Sequence, residues 1–586
     1  MNKEFDKKVS SLFRNVEEVK NSFVQEGLKA SSETVSGNGA KKYSTSGNSF
    51  VDNFAAISTF KAPRAYAEVA RDMELLWSQN PQLCVKLALY IRLITRKTRV
   101  VEKDSSETLD VQRGQGLKNE GIMRMLWLAI RHKPTFKANF NYFIAAGSWR
   151  DVFQMLSLDL QYHGWDNHKL DWNFFYLVIA AGLSNPESTH LVRKYMPTIR
   201  TNGNCKTLEA QADTLIGRWL ANRLCQPEKS IDKATVYKAY RKIKVEGIAH
   251  QWQQLISKQL YDALNFDYIA GRALSQLVES KFLKNHNLIE KYSAWIQSKP
   301  TAKYTGFVFE LFQPFDKVKA CHIEDYREAT INAQFAQLVK TGKEGVTTNS
   351  RLLVVRDTSG SMTSLAIGCN MSSYSIAKAM ALYFSEFLTG AFENTFVEFS
   401  TTAKMHQWKG NTPCDKWVND TSYVVGNTNF QSVIDLFIDL KNNHEVPESD
   451  FPTGVLCISD GEFNRCGDNQ SPNFKLAIER LREAGFSEDY VSNFKIILWD
   501  IPNRFYREKP KPKFEDFADA PNFFYLSGYD PAAVAFILGT KPFKATPRTA
   551  EELFLASMDQ ELLNRVRIVE DKRPQTRKKK KFKRKG

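Results

Sequence analysis

Apolar residues recur at three-to-four spacing over the first 28 positions. Phe5, Val9, Leu12, Phe13, Val16, Val19, Phe23 and Val24 line one side of a helix that ends near Gly27. Residues 29–50, rich in Ser, Gly, Asn, Thr and Lys, read as a flexible linker. From about Phe54 to Phe312 the helical period persists. Ala65 to Trp77 is one helix, and Pro81 opens another over Gln82 to Ile94. Gly121 to Ile130, Phe136 to Ala146 and Arg150 to Leu158 follow, separated by short Gly, Pro and Asn breaks. No alternating strand pattern of useful length interrupts them. Many antiparallel helices with short links predict a helical solenoid or ring, although no strict repeat period is present.

After about residue 350 the period changes. Leu352-Leu353-Val354-Val355 is a buried strand, and Ser373 to Leu388 an amphipathic helix. Thr395 to Phe399 and Lys404 to Trp408 read as a strand pair, followed by a helix over Phe430 to Leu440. Val455 to Ser459, Phe494 to Trp499 and Phe523 to Leu526 are further strands; Phe474 to Ala484 and Pro531 to Leu538 are helices. Short apolar strands alternating with helices predict a doubly wound α/β domain with a mostly parallel sheet, whose ligands bind at the carboxyl ends of strands. The expected units are therefore an N-terminal helix and linker (1–49), a helical domain (50–350), an α/β domain (351–545), and a C-terminal helix with a basic tail (546–586).

Composition narrows the class. Of 586 residues, 42% are apolar and 25% charged, which excludes a wholly disordered, collagen-like or coiled-coil chain. The longest apolar run, Phe174 to Leu183, is ten residues, short of the ~18 that a membrane span needs. The N-terminus lacks the apolar stretch of a secretory signal. Eight Cys are scattered with no Cys-x-x-Cys pair, so reduced thiols in an intracellular, cytoplasmic protein are expected. The net charge of +16 is uneven: residues 51–320 carry +13, residues 351–570 carry −7, and the last sixteen carry +9. A basic half joined to an acidic one suggests an acidic partner for the first, with nucleic acid the first candidate. The tail Arg577 to Lys585 would bind any polyanion, and in a nucleated host it could serve as a nuclear address. Richness in Lys, Asn and Phe hints at an AT-rich genome, microbial or viral.

One motif carries chemistry. The first strand of the α/β domain ends in Asp357-Thr358-Ser359-Gly360-Ser361, where the fold rule puts a site. Alternate positions in an extended turn let Asp357, Ser359 and Ser361 aim three oxygens at one small hard cation. Thr428, just before a helix, and Asp460, after another strand, supply two more; Thr421, in a nearby loop, is the alternative to Thr428. Three hydroxyls and two carboxylates suit Mg²⁺, and one coordination position stays open for a partner's carboxylate. A phosphate-cradling glycine loop, a Gly-x-Ser-x-Gly elbow and a His-Glu-x-x-His pair are all missing from the sequence. No catalytic constellation remains, so no enzyme is expected; His406, in mid-strand, reads as structural.

This ligand order and its strand–helix context resemble the von Willebrand factor A domain and its metal-ion-dependent adhesion site, which implies Mg²⁺, Mn²⁺ or Ca²⁺ as cofactor. A basic helical half followed by such a domain resembles the Ro ribonucleoprotein plan, in which HEAT-like helices of a TROVE module form a ring. A related family of unknown function with the same plan is closer. Its flavour is visible in Gly116 to Glu120, Gly147 to Val152, Tyr240-Arg241-Lys242, Ser459 to Phe463, Leu498-Trp499-Asp500 and Leu526 to Tyr529. Gly147 to Val152 also reads as a plain helix start, with Asp151 near the N-terminus and Trp149 in the core.

The Ro resemblance implies small structured or misfolded RNA as a partner. The candidate contacts are Arg92, Arg96, Lys97 and Arg99; Arg131, Lys133 and Lys137; and Lys238, Arg241, Lys242 and Lys244. Their aromatic neighbours Trp127, Phe136 and Tyr240 read as core. The leading expectation is a non-enzymatic RNA-binding scaffold with a metal-dependent ligand site and no membrane contact. The alternative is a metal-dependent adhesion or assembly factor, viral or cellular, without specific RNA binding.

Overall fold

Among the described residues, helices dominate as far as residue 344, and a six-stranded sheet lies beyond. The computed structural model describes residues 33–35, 41–56, 64–93, 97–101, 106–111, 114–200, 205–225, 231–245, 251–304, 306–318, 323–344, 352–366, 369–421, 426–464, 473–501, 521–527 and 548–570. The helix expected within 1–28, the one at Pro531 to Leu538, Arg96 and the basic tail lie outside these residues.

The first helices are α1 (Ser49–Ala56), α2 (Tyr66–Gln79), α3 (Pro81–Arg92), α4 (Lys118–Arg131), α5 (Lys133–Ala146) and α6 (Trp149–His163). They are followed by α7 (Trp172–Ser184), α8 (Thr189–Tyr195), α9 (Leu208–Cys225) and α10 (Lys233–Val245). Local chemistry sets the breaks. Asn80 ends α2 and caps α3, accepting from the Leu83 amide at 3.0 Å, with Pro81 at the first helical position. Asp171 caps α7 in the same way, from the Phe174 amide at 3.1 Å.

Two short antiparallel hairpins interrupt the helices: β1 (Glu33–Val35) with β2 (Lys41–Tyr43), and β3 (Lys97–Val101) with β4 (Ser106–Asp110). The first lies within the expected linker, and no strand is expected over the second. Each of β3 and β4 is five residues long and mostly polar, and Val100 and Leu109, buried one on each strand, leave too weak an alternation to stand out.

The sheet has the order β10-β9-β8-β5-β6-β7, from β5 (Leu352–Asp357), β6 (Thr395–Phe399), β7 (Ala403–Gln407), β8 (Gly454–Ser459), β9 (Lys495–Asp500) and β10 (Phe523–Ser527). All pairs are parallel except β6 with the edge strand β7. Side chains alternate between two cores, as a sheet buried on both faces requires. Leu353, Val355, Val455, Cys457, Ile496 and Leu498 face α15 (Gln431–Asn442) and α16 (Asn473–Glu483). Val354, Leu456, Ile458, Ile497 and Trp499 face the other core. That core is shared by α11 (Val308–Val318), α12 (Asp325–Lys343), α13 (Ser373–Ser385) and α14 (Pro413–Asn419).

The cores therefore cut across the boundary expected at 350: Phe309, Phe312 and Phe335 of the helical half pack into the core of the sheet. They also cut across the one at 546. α17 (Ala550–Met558) and α18 (Glu561–Asn564) return to the first helices, where Phe554 stacks on Phe50 (5.9 Å) and meets Phe54 edge-on (5.4 Å). Beyond α18 the backbone of Arg567 and Val569 is held by Asn139 and Thr135 of α5 at 2.6–3.0 Å. Among the described residues no helix is long and apolar enough to cross a membrane.

Candidate functional site

β5, β6, β8 and β9 all end at one edge of the sheet, and the loops after β5, β6 and β8 meet there. Asp357, the last residue of β5, is fully buried. Its Oδ1 accepts from the Ser359 amide at 2.8 Å and its Oδ2 from the Ser459 hydroxyl at 2.5 Å. Thr358 turns the opposite way, its amide and hydroxyl both donating to the Phe399 carbonyl at 2.9 and 3.1 Å. The alternation leaves Ser359 and Ser361 on the same side, their hydroxyl oxygens 3.3 Å apart.

The other loops are laced to this one through backbone. The Gly360 amide donates to the Gly426 carbonyl at 3.3 Å. The Asn429 amide donates to the Ser400 carbonyl at 2.8 Å. Thr428 is tied to the loop after β8, donating its amide to Asn464 Oδ1 at 3.3 Å and accepting from the Asn464 amide at 2.8 Å. Asp460 is buried in that same loop, with its Oδ1 accepting from the Glu462 amide at 3.3 Å. The structure thus brings the loops that carry Asp357, Ser359, Ser361, Thr428 and Asp460 to one edge. Thr421 is exposed, and its neighbour Asp420 turns toward Arg356, so Thr428 is the threonine held among these loops.

Two observations bear on a cation. Burial, and then the neighbouring charge of Asp460, holds the Asp357 carboxyl well above the usual carboxylate range, against the hydrogen bonds from Ser459 and Ser359. The Thr428 hydroxyl is buried with no hydrogen-bond partner among the described residues. Two interacting buried carboxylates and an unsatisfied hydroxyl on an adjoining loop fit a small hard cation with oxygen ligands. Among the described residues no three His, Cys, Asp or Glu side chains gather around a common point, so a nitrogen- or thiolate-rich site is not offered there.

Arg356, next to Asp357 in sequence, cannot act as the counter-charge. Its fully buried guanidinium donates to Asp420 at 2.6 Å and to Glu398 at 3.5 Å, and stacks over Phe396 at 4.6 Å. Lys378 donates to the Asp420 carbonyl at 2.8 Å, and burial pushes its ammonium down to about 8. His406 Nε2 lies 3.0 Å from Glu398 on the far side of this cluster, in a structural position.

The sequence profile of a family described as a domain of unknown function (DUF7788) matches residues 351–583. An uncharacterized protein, L728, of Acanthamoeba polyphaga mimivirus is 20% identical over 533 residues, covering 86% of this chain and 84% of that one. That similarity extends over both the helical half and the sheet.

The basic candidates divide. Arg92 is a correction: it is only 3% exposed, and its Nε and Nη2 grip Asp151 at 2.8 and 3.0 Å, so it forms no surface for RNA. Lys244 is half-buried and donates to the Met196 carbonyl, which also removes it from the open face. Lys97 lies on β3. Arg99 is exposed but paired with Glu187, Arg131 with Glu74 at 2.7 Å, and Lys137 with Asp171 at 2.6 Å. Lys133 is exposed. Lys238, Arg241 and Lys242 are exposed at i, i+3 and i+4 of α10 and share one face. Trp127, Phe136 and Tyr240 are core residues, and the Tyr240 hydroxyl donates to the Pro197 carbonyl at 2.8 Å.

Ser459 and Asn464, the supports of Asp357 and Thr428, are not among the residues expected from the sequence. Ser459 precedes Asp460 at a strand end, which was a usable signal; Asn464 had none.

Proposed function

We propose that this chain is a binding scaffold whose sheet edge holds Mg²⁺ through Asp357, Ser359, Ser361, Thr428 and Asp460. The α/β half is read as a von Willebrand factor A domain, and the whole as a Ro-like protein whose basic helical half binds RNA. When bound, the ion would supply positive charge between two carboxylates and an open position for an acidic group of a partner. The chain's own part is to hold five oxygens in place. Asp357 is fixed by Ser459 and the Ser359 amide, and Thr428 by Asn464.

The observation that carries this reading is the Thr428 hydroxyl, buried and without a hydrogen-bond partner among the described residues, in a loop bonded to the loops that carry the other donors. A buried hydroxyl left unsatisfied costs about 1–3 kcal/mol. Thr428→Val, of the same shape, is therefore expected to leave the metal-free protein as stable or about 1 kcal/mol more stable. Its affinity for Mg²⁺ or Mn²⁺ should fall roughly tenfold or more, since even outer-shell partners of a metal contribute that much. Urea unfolding and calorimetric titration read the two effects. A variant that is destabilised while binding the ion as well as before would make Thr428 a packing residue.

The RNA part of the reading is supported by the open face of α10. Replacing Lys238, Arg241 and Lys242 with Glu should weaken RNA binding and lower the salt slope by about 2, at ~0.7 per lost single-strand phosphate contact. The same change at the exposed Lys404, Lys409 and Lys475 of the acidic half should do far less. Equal losses from both sets, or no RNA binding at any salt, would favour the adhesion reading.

A further inference from the structure

The loop between α6 and α7 presents an indole to solvent: Trp165 is 41% exposed. That loop is held from inside by the fully buried carboxylate of Asp159. It accepts from the Lys169 and Leu170 amides at 3.0 and 3.1 Å and from the Trp172 indole at 3.4 Å. His163 Nδ1 lies 2.9 Å from its other side. A buried carboxylate satisfied in this way fixes the loop, so the exposure of Trp165 belongs to a set structure.

Other rings continue from it. Trp165 meets Trp172 edge-on at 5.2 Å, Trp172 meets Trp219 of α9 at 4.8 Å, and Trp219 meets Tyr176 of α7 at 6.3 Å. The Arg223 guanidinium lies over the Tyr176 ring at 5.1 Å and donates to Asn173 Oδ1 at 3.0 Å. Leu215, Trp219 and Arg223 recur at every fourth position, so α9 carries them on one ridge, as α7 carries Trp172 and Tyr176. Trp172 is buried and forms the floor; Trp219 and Tyr176 are half-buried, and Arg223 is exposed.

Cations flank the rings. Lys169 is exposed in the loop, and neither it nor Arg223 has a carboxylate partner among the described residues. Lys137 stands over the Phe174 ring at 5.2 Å but is paired with Asp171. α9 also packs against α10, which bears Lys238, Arg241 and Lys242. Asp166, exposed beside Trp165, opposes an anion at its own position. Trp165 therefore offers a ring face, while charge is offered by Lys169 in the loop and Arg223 at the far end of the row.

Every nucleobase has a π-face that stacks on an aromatic side chain, and rings interleaved with cations are how unpaired strands are held. A sugar ring also stacks on indole, but a neutral sugar leaves Lys169 and Arg223 without a counter-charge.

We propose that Trp165, Trp219 and Tyr176 form a stacking platform for the bases of single-stranded RNA, with Lys169 and Arg223 meeting its phosphates. This rests on the reading above that the helical half binds RNA, and adds to it the form of RNA that is held.

Full-length protein, Trp165→Leu and Trp165→Phe are titrated with a short oligouridine and with duplex RNA of the same length. Leucine keeps an apolar contact with Trp172 but has no ring face; phenylalanine keeps a ring. Trp165→Leu should weaken oligouridine binding roughly tenfold and leave the salt slope unchanged, because a stacked base releases no counterions. Trp165→Phe should retain most of the affinity. Duplex binding should be the same in all three proteins, since paired bases already stack on one another. Arg223→Gln should instead lower the oligouridine salt slope by about 0.7, for one single-strand phosphate contact. Melting temperatures of the variants separate lost stacking from lost folding. Unchanged oligouridine affinity in Trp165→Leu, or an equal loss for the duplex, overturns the platform; RNA binding that still depends on Lys238, Arg241 and Lys242 then leaves the RNA reading standing. RNA binding by none of the proteins at any salt overturns both. A neutral oligosaccharide or a second copy of the chain bound through Trp165, with oligouridine affinity untouched by the substitution, gives the rings another occupant and also overturns the platform.

Discussion

Deleting residues 548–586 should unfold the helical half, whereas deleting only 571–586 should not. The longer deletion removes Phe554, Leu555, Met558, Leu562, Leu563 and Val566, all buried in the core formed by α1 to α10. At about 1.5–3 kcal/mol for each large buried side chain, the loss is on the order of 10 kcal/mol. A whole domain is stable by only about 5–15 kcal/mol. The deletion also strips the Asn139 and Thr135 bonds to Arg567 and Val569, and the 2.6 Å bond from Lys86 to Asn564. Circular dichroism and urea unfolding of the two truncations read the difference. A helical half cut at residue 547 that still unfolds cooperatively would mean that α17 and α18 are passengers. The same packing argues that RNA binding should be measured on the intact chain, since a fragment ending near 350 lacks part of its own core.

Arg356→Met should cost about 3–5 kcal/mol, the range for breaking a buried ion pair by removing one partner. The methionine preserves most of the volume, so the loss is electrostatic rather than a cavity. It takes a buried guanidinium from Asp420, which keeps Lys378 at 3.5 Å, and from Glu398, which keeps His406 at 3.0 Å. Adding Asp420→Asn should recover part of the loss, because the uncompensated buried charge is then gone. If the double variant is as unstable as the sum of the two single ones, Arg356 contributes packing over Phe396 rather than pairing. Because Arg356 adjoins Asp357 on β5, the same experiment reports how firmly the site is held from behind.

The sheet and the five candidate donors were legible because each had a local signature. Runs such as Leu352 to Val355 have the length and composition of buried strands, and Asp-x-Ser-x-Ser at a strand end is a pattern of alternation. The doubly wound order then fixed which loops meet. Partnership at long range had no such signature. The apolar positions of residues 550–566 show that a face is buried, but not that it is buried against Phe50 and Phe54. Charge counting placed Arg92 on a basic surface, because a count carries no burial; Asp151 and the glycines at 121 and 147 draw it inside. The supporting bonds of Asn464 are side chain to backbone, and these have no fixed spacing along a chain.

The central claim is that five oxygens from Asp357, Ser359, Ser361, Thr428 and Asp460 serve one cation. Mn²⁺ soaked into crystals of the full-length protein, and located by its anomalous scattering, tests this most directly. One ion is expected at the carboxyl edge of β5 and β8. The Ser359 and Ser361 hydroxyls should lie about 2.0–2.2 Å from it, and the remaining donors should bind it directly or through water, the range close to that of Mg²⁺. The same crystals of Asp357→Ala should show no ion there. Full Mn²⁺ occupancy in Asp357→Ala, or an ion bound elsewhere while the Thr428 hydroxyl stays without a partner, would contradict it.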